Sequence, residues 1–415
     1  MGASLHLLHT LLKVPRWAMR QPRERWLVHR AVTRIRAARG EPVVRGLVVL
    51  VTESVGSRIC KVGYGLKSLG WRVVLVHRNN LPANAGRCFD EMRRYATPAE
   101  ALWLAAHFRP VAYHVFANWN FNAAALLIRH QPGKMVFDDY DVLVGTLAED
   151  FSRAYHREIR LERFCLENAD GLCCRDLETQ CARKAGYSLR GRRLLLLDCC
   201  WGGQVESPAP LASRGHGLHI VNCGNIPLAT RAEYLVHQQE LGALAATLTA
   251  QGLAAESIRF HAYPTSSVWR GASRNETGER LAGGAVPAFF HLHDPVPPDE
   301  LPRVLSQYDA GLYHVGIGAN PPTYNRWKFA YTSGNRVFDY LDAGLPVVIH
   351  GCKFMEFLVR RAHVDIGIEA PQSVAAHQFL RRENTEALRR NAFLASSRLA
   401  ITQHIPKLAA FYESL

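Results

Sequence analysis

The chain has 415 residues, of which 48% are hydrophobic and 21% charged, a globular balance that excludes disordered, collagen-like and coiled-coil classes. That length suggests two or three domains, with enough chain to bury a core without disulfide staples. The formal net charge is +14, but residues 1–40 hold nine basic side chains against Glu24 alone, so the body of the chain is only mildly basic.

No apolar run approaches the roughly 18 residues of a membrane span. The first twelve residues are apolar and the basic residues follow them, the reverse of a secretory leader. Ten cysteines include the adjacent pairs Cys173-Cys174 and Cys199-Cys200 but no C-x-x-C. They sit in apolar runs, as small hydrophobes do, which points to a reduced cytoplasmic compartment. A zinc site built from Cys165, Cys173, Cys174 and Cys181 is the weaker reading, and no metal is expected.

In chain order, residues 1–40 read as a basic amphipathic helical arm broken near Pro15 and Pro22. Its leucines fall on one face and Trp26 sits among arginines. Such an arm suits the anionic inner face of a membrane; a terminal helix packed on its own protein is the equal alternative. Nucleic acid is not an expected partner, because nothing later supplies a binding module. Residues 41–205 alternate strand and helix. Strands are expected at Val43–Thr52, Trp71–His77, Val111–Phe116, Lys134–Phe137, Gly171–Cys174 and Leu194–Leu197, with an acidic loop at Asp138–Asp141 and one long helix over Arg153–Asn168. Residues 206–217 are rich in Gly, Pro and Ser and read as a linker.

The alternation restarts over 218–395, with strands at His219–Asn222, Ser257–Ala262, Phe289–His293, Ala310–His314 and Pro346–His350 and a helix over Asn335–Asp342. Residues 396–415 form a C-terminal helix that could cross back to the first domain. Strands alternating with helices in two blocks predict an α/β protein of two doubly wound, Rossmann-like domains. No G-x-G-x-x-G follows the first strand, which argues against a dinucleotide dehydrogenase.

Residues 334–348 read Gly-Asn-Arg-Val-Phe-Asp-Tyr-Leu-Asp-Ala-Gly-Leu-Pro-Val-Val. This run resembles the donor-site helix of GT-B glycosyltransferases, particularly the large retaining family 4. Weaker likenesses fall in order: Arg109-Pro110 before a strand reaching His114, Glu162 before Ala169-Asp170-Gly171-Leu172, Val221–Asn225, and Tyr308–Leu312. The resemblance implies a GT-B fold, two domains facing across a cleft, and transfer of a sugar from a nucleotide-diphosphate donor to a glycan or lipid-linked acceptor, with retention and without a metal or other cofactor. A polysaccharide-building enzyme, cytoplasmic and peripheral to a membrane, is the expected setting.

Elementary chemistry agrees. Backbone N–H groups at a helix start suit a diphosphate, and here Gly316 and Gly318 follow a strand while Gly334 and Asn335 open a helix. Asp339, one turn in, could take both ribose hydroxyls, and Arg326, Lys328 or Arg336 could meet phosphate; the resemblance also places Asn225 and Arg231 on the donor side. On the other side, the resemblance gives His114, Asp139 and Asp141 catalytic, sugar-facing positions, and Glu53, Ser54 and Gly56 an acceptor-side loop. Two positions depart from the family: Tyr331 stands where the first glutamate of a two-glutamate motif is usual, and Asn225 replaces an arginine. The rival readings are a sugar-nucleotide 2-epimerase-like isomerase, with His114 and Asp139 as acid and base, and a degenerate nucleotide- or glycan-binding protein.

Overall fold

The computed structural model describes residues 22–139, 141–174, 179–203, 205, 217–224, 231–250, 257–264, 289–298, 300–314, 325, 327–328, 332–367 and 382–415. Residues 1–21 of the basic arm and 206–216 of the expected linker lie outside them. The chain divides into two units, Met1–Leu196 with Ile405–Leu415, and Leu197–His404. Residues 197–205, assigned to the first domain on sequence grounds, therefore count with the second unit. Cys200 bridges to Ala400, and the backbone of Trp201 and Gly202 donates to the buried carboxylate of Asp342.

Unit 1 opens with α1 (Pro22–Ala37), followed by β1 (Val44–Thr52), α2 (Ser57–Ser68), β2 (Arg72–His77), α3 (Ala85–Cys88), β3 (Glu91–Arg94), α4 (Pro98–Ala105), β4 (Pro110–Ala117) and α5 (Asn122–His130). Then come β5 (Met135–Asp139), α6 (Glu149–Ala154), α7 (His156–Asn168), β6 (Gly171–Cys174), α8 (Thr179–Lys184) and β7 (Arg192–Leu195). The strands form a parallel sheet in the order β3-β2-β1-β4-β5-β6-β7. Leu47–Val51 of β1 are all buried, as a strand covered on both faces must be; each such side chain contributes about 1.5–3 kcal/mol. Helix α4 starts cleanly because Thr97 caps the Glu100 N–H and Pro98 needs no donor at the first turn.

The sequence pattern does not reveal β3. Glu-Met-Arg-Arg puts three charged side chains on a four-residue edge strand, a composition that blunts edges and hides the strand from a hydrophobicity scan. The long helix expected over 153–168 is two, broken at Tyr155. The acidic loop is also corrected: Asp138 and Asp139 end β5 itself and are buried.

Unit 2 contains β8 (Leu218–Gly224), α9 (Arg231–Ala250), β9 (Ile258–Pro264), β10 (Phe290–Leu292), α10 (Leu301–Leu305), β11 (Ala310–His314), α11 (Asn335–Asp342), β12 (Val347–His350), α12 (Lys353–Arg361), β13 (Asp365–Gly367) and α13 (Arg382–Arg398). Its sheet is again parallel, ordered β10-β9-β8-β11-β12-β13. One face is a core of Leu218, Ile220, Phe260 and Leu312 against Leu241, Leu244 and Leu248 of α9; the other packs Val221, Val347 and Ile349 against Val337, Phe338 and Leu341 of α11. The last helix, α14 (Ile401–Glu413), places Phe411 and Tyr412 in unit 1, where Phe411 lies over Gly171 and Tyr412 beside Trp71.

Candidate functional site

In an open parallel sheet, ligands bind at the carboxyl ends of the strands where the strand order reverses. Unit 1 reverses between β1 and β4. A small cleft opens there, lined by Thr52, Glu53, Arg78, Tyr95, Ala117 and Asn120 among others. Glu53 pairs with Arg78, and the Asn79 side-chain amide donates to Ser54 Oγ at 2.9 Å. The backbone N–H of Asn79 donates to Glu53 O at 2.9 Å, so the loop carrying Glu53 and Ser54 is tied to the end of β2. Gly56 is the N-cap of α2, with ordinary extended backbone and open space at its α-carbon. Burial, then the charge of Glu53, pushes the Tyr95 phenol up, so it stays protonated and can donate. Arg78 and Tyr95 carry no signal in the sequence, because β2 and β3 place them beside β1 only once the sheet order is known.

The three residues assigned catalytic roles do not converge. His114 has no exposed surface; its Nδ1 lies 2.6 Å from the Tyr412 hydroxyl and its Nε2 3.5 Å from Asp138 Oδ2, with the ring stacked on Phe116. Burial lowers its pKa despite the neighbouring carboxylate, which keeps the ring neutral. Asp138, in turn, accepts from Arg58 Nε at 3.0 Å and Nη2 at 2.9 Å. Burial would raise its pKa, but the Arg58 charge and the His114 contact outweigh it and hold it low. Asp139 is buried toward the opposite face of the sheet, as alternation along a strand requires; there burial first, with the charges of Glu162 and Asp139 adding to it, raises the pKa of Cys165 and Tyr187. Asp138, not Asp139, is thus the partner of His114. Asp141 is half-buried and accepts from the Asn118 amide at 2.7 Å.

Among the described residues, one group has metal-competent spacing: His114, Asp138 and Cys173, with ligand atoms within 4.8 Å of one another. Arg58 already neutralises that carboxylate, and a buried guanidinium beside it opposes a divalent cation. The four-cysteine zinc grouping does not reappear among these candidates; all ten cysteines are buried and none is in a disulfide.

Unit 2 reverses between β8 and β11, and α11 starts at that point. Tyr340 fixes the helix to both strands: its hydroxyl donates to Leu312 O at 2.9 Å and accepts from the Cys223 N–H at 3.2 Å. The approach is so close that a Cβ on Gly311 would sit 2.3 Å from the Tyr340 ring, and one on Gly334 2.2 Å from the Tyr313 ring. Both positions therefore demand glycine. Arg336 projects from the first turn, donates through Nη1 to Asn222 Oδ1 at 2.9 Å, and lies 5.6 Å over the Tyr313 ring. Its guanidinium also borders Gly224, at the end of β8. The buried Asn335 Oδ1 accepts no hydrogen bond among the described residues. Asp339 is half-buried one turn further on, and Lys328 is buried just before the helix. Gly334, Asn335, Arg336 and Asp339 are thus together, whereas Gly316, Gly318, Asn225 and Arg326 lie outside the described residues and Arg231 is described by its backbone alone. Asn222 and Tyr313 are additions that the sequence pattern did not single out; the available signal was a polar side chain at the end of an otherwise apolar strand. Asp342, in the same sequence run, is structural: it accepts from Trp201 N, Gly202 N and Ser396 Oγ.

Two parallel doubly wound units, each with its switch point marked by polar side chains, define the GT-B fold. Solved structures similar to the chain are glycosyltransferases. A sucrose-phosphate synthase from Thermosynechococcus elongatus has a TM-score of 0.59 at 14% identity, over 89% of this chain and 100% of that one. A glycosyltransferase from Rickettsia africae has a TM-score of 0.54 at 9% identity, over 89% and 98%. An O-GlcNAc transferase from Thermobaculum terrenum has a TM-score of 0.50 at 12% identity, over 92% and 74%. No protein-family model matches the sequence, and no curated protein is detectably similar to it.

Proposed function

We propose that the chain is a glycosyltransferase that moves a sugar from a nucleotide-diphosphate sugar to a glycan or lipid-linked hydroxyl acceptor. The observation that carries this is Arg336, held by Asn222 and Tyr313 at the switch point of unit 2, beside a helix start where Asn335 Oδ1 lacks a partner. A fixed guanidinium next to backbone N–H groups is suited to a diphosphate, and Asp339 on the same helix suits a ribose diol. The acceptor would enter the unit 1 cleft, where Glu53, Arg78, Asn120 and Tyr95 offer the donors and acceptors that a polyhydroxyl compound needs.

In the reaction the bond between the anomeric carbon and the phosphate oxygen breaks, and its electron pair leaves on the diphosphate. Arg336 and the first N–H groups of α11 stabilise that charge, preorganised for it before the step begins. The acceptor oxygen bonds to the same carbon and its proton passes to the departing phosphate. Retention rests on the likeness of residues 334–348 to family 4 alone; independence from a metal rests on that likeness and on this local positive charge. His114 and Asp139 are buried on opposite faces of the sheet, which favours transfer over an acid–base isomerase built on that pair. The test is a thermal-shift panel of UDP, GDP, ADP, CDP and TDP, followed by donor turnover with an acceptor panel. A nucleoside diphosphate that raises the melting point of the native chain but not of Arg336→Ala supports the site; no shift with any of the five sinks the donor assignment.

A further inference from the structure

Helix α1 gives unit 1 a basic surface that the nucleotide site does not explain. Helix α1 buries Leu27, Val28, Ala31 and Ile35, packing against α4. Its outward face carries Arg25, Trp26, His29, Arg30 and Arg36, all exposed. Trp26 is 55% exposed at the middle of that face. By helical spacing Arg30 lies to one side of it and His29 and Arg36 to the other, and the Arg30 guanidinium rests 5.5 Å over the indole. The chain then runs through exposed Arg39 to Val43 and Val44, 52% and 50% exposed, and Arg45, where β1 begins. From α5, Arg129 joins the same field: its charge and that of Arg36 add to burial in pulling the His130 pKa down to about 4. Glu24 and Glu41 are the acids nearby in sequence, while Arg23 and Arg34 are engaged with Glu100 and Ala106 O.

We infer that this face docks unit 1 onto an anionic lipid surface, with Trp26, Val43 and Val44 in the headgroup region and the arginines on lipid phosphates. An exposed tryptophan flanked by arginines, with two exposed valines beyond the far end of the same helix, matches an interface that is apolar in depth and negative at its rim. A soluble polyanion would use the arginines and leave the tryptophan and valines idle. Val43 and Val44 lie at the amino end of β1, so docking there leaves the cleft at the carboxyl end of the same strand open. Among the described residues no helix is long and apolar enough to cross a membrane, and surface attachment requires none.

The experiment is co-sedimentation of the full chain with vesicles of phosphatidylglycerol and phosphatidylcholine mixed, or of phosphatidylcholine alone, at low salt and at about 0.3 M salt. The mixed vesicles are expected to pellet the chain at low salt, with binding lost at high salt and absent on phosphatidylcholine alone. At low salt R30E/R36E/R39E should lower partitioning about a hundredfold, and W26A should lower it as well. Equal binding of wild type and the triple variant, or equal binding to both vesicle types, would overturn the inference. So would heparin retention that the triple variant loses while W26A binds vesicles like wild type, which would identify a soluble polyanion instead. Nucleoside-diphosphate thermal shifts of the same variants, measured without vesicles, should equal wild type, so failure here is separable from failure of the donor site.

Discussion

His114 and Tyr412 are 298 positions apart, yet the ring nitrogen Nδ1 and the phenol oxygen lie 2.6 Å from each other with both side chains buried. The bond joins the central strand β4 to the last helix. Burial keeps His114 neutral and pushes the Tyr412 phenol well up, so the pair is a neutral hydrogen bond in the interior. Replacing Tyr412 by Phe keeps the ring packed on Trp71 and leaves the imidazole nitrogen without a partner. The expected cost is about 1–3 kcal/mol, read as a lower urea midpoint with an unchanged m-value, while nucleoside-diphosphate affinity stays at the wild-type level. An unchanged midpoint would show that the bond contributes nothing.

Beneath that pair, Arg58 and Asp138 form a buried ion pair, with side chains 6% and 0% exposed. Arg58→Met strands a carboxylate in the interior and should cost about 3–5 kcal/mol. Arg58→Met combined with Asp138→Asn removes both charges and should recover much of that loss. A double variant as unstable as the single one would show that the packing of the guanidinium, not its charge, is what unit 1 requires.

Much of the fold is legible in the order of residues alone. The β-branched run of β1 and the apolar stripe of α11 announce themselves, because burial on two faces and on one face leave different periodicities. Other features are set by contacts distant in sequence. Which of Asp138 and Asp139 meets His114 depends on strand parity at the end of β5, where a shift of one residue swaps the faces. Arg336 finds Asn222 across 114 positions, a relation no local pattern records. The charged edge strand β3 resembles a loop for the reason that it is an edge.

A row of histidines on unit 2 makes its stability sensitive to acid. His219 Nδ1 lies 2.9 Å from His261 Nε2, His261 Nδ1 lies 2.9 Å from His293 Nε2, and His291 stacks on His261. Arg259, Tyr263, Tyr308 and, through the backbone N–H of His219, Asp309 surround them. Burial, then the neighbouring histidines, pulls the His261 pKa down to about 2. The unfolded chain takes up this proton near pH 6.5 and the folded chain does not, so stability is complete above 6.5 and is lost as pH falls below it. For buried His261 the slope is about 1.4 kcal/mol per pH unit. Asp309 acts in the opposite sense, since burial raises its pKa to about 6, but it is one group over a narrower window. Melting points taken from about pH 7.5 to about pH 5 should therefore fall, and His261→Phe should flatten the decline. A profile level across that range would contradict the buried neutral cluster.

The sharpest test of the donor site separates the arginine from what holds it. Arg336→Ala removes the charge and should weaken nucleoside-diphosphate binding by about 1.5–3 kcal/mol, the range for hydrogen bonds to a charged group. Arg336→Lys keeps the charge but loses the fork that lets one nitrogen stay on Asn222 while others meet phosphate, so it should fall between wild type and alanine. Asn222→Ala leaves the guanidinium over Tyr313 without its anchor and should cost about 1 kcal/mol in affinity, with a larger loss in turnover than in binding because the leaving charge needs a fixed partner. Asp339→Ala should instead weaken nucleosides and nucleoside diphosphates alike, by about 1–3 kcal/mol, while leaving pyrophosphate binding unaffected. Isothermal titration with a nucleoside, its diphosphate and pyrophosphate separates the two predictions. If Arg336→Ala left pyrophosphate affinity intact, the guanidinium would be a strut between β8 and α11, and the phosphate would have to be held elsewhere.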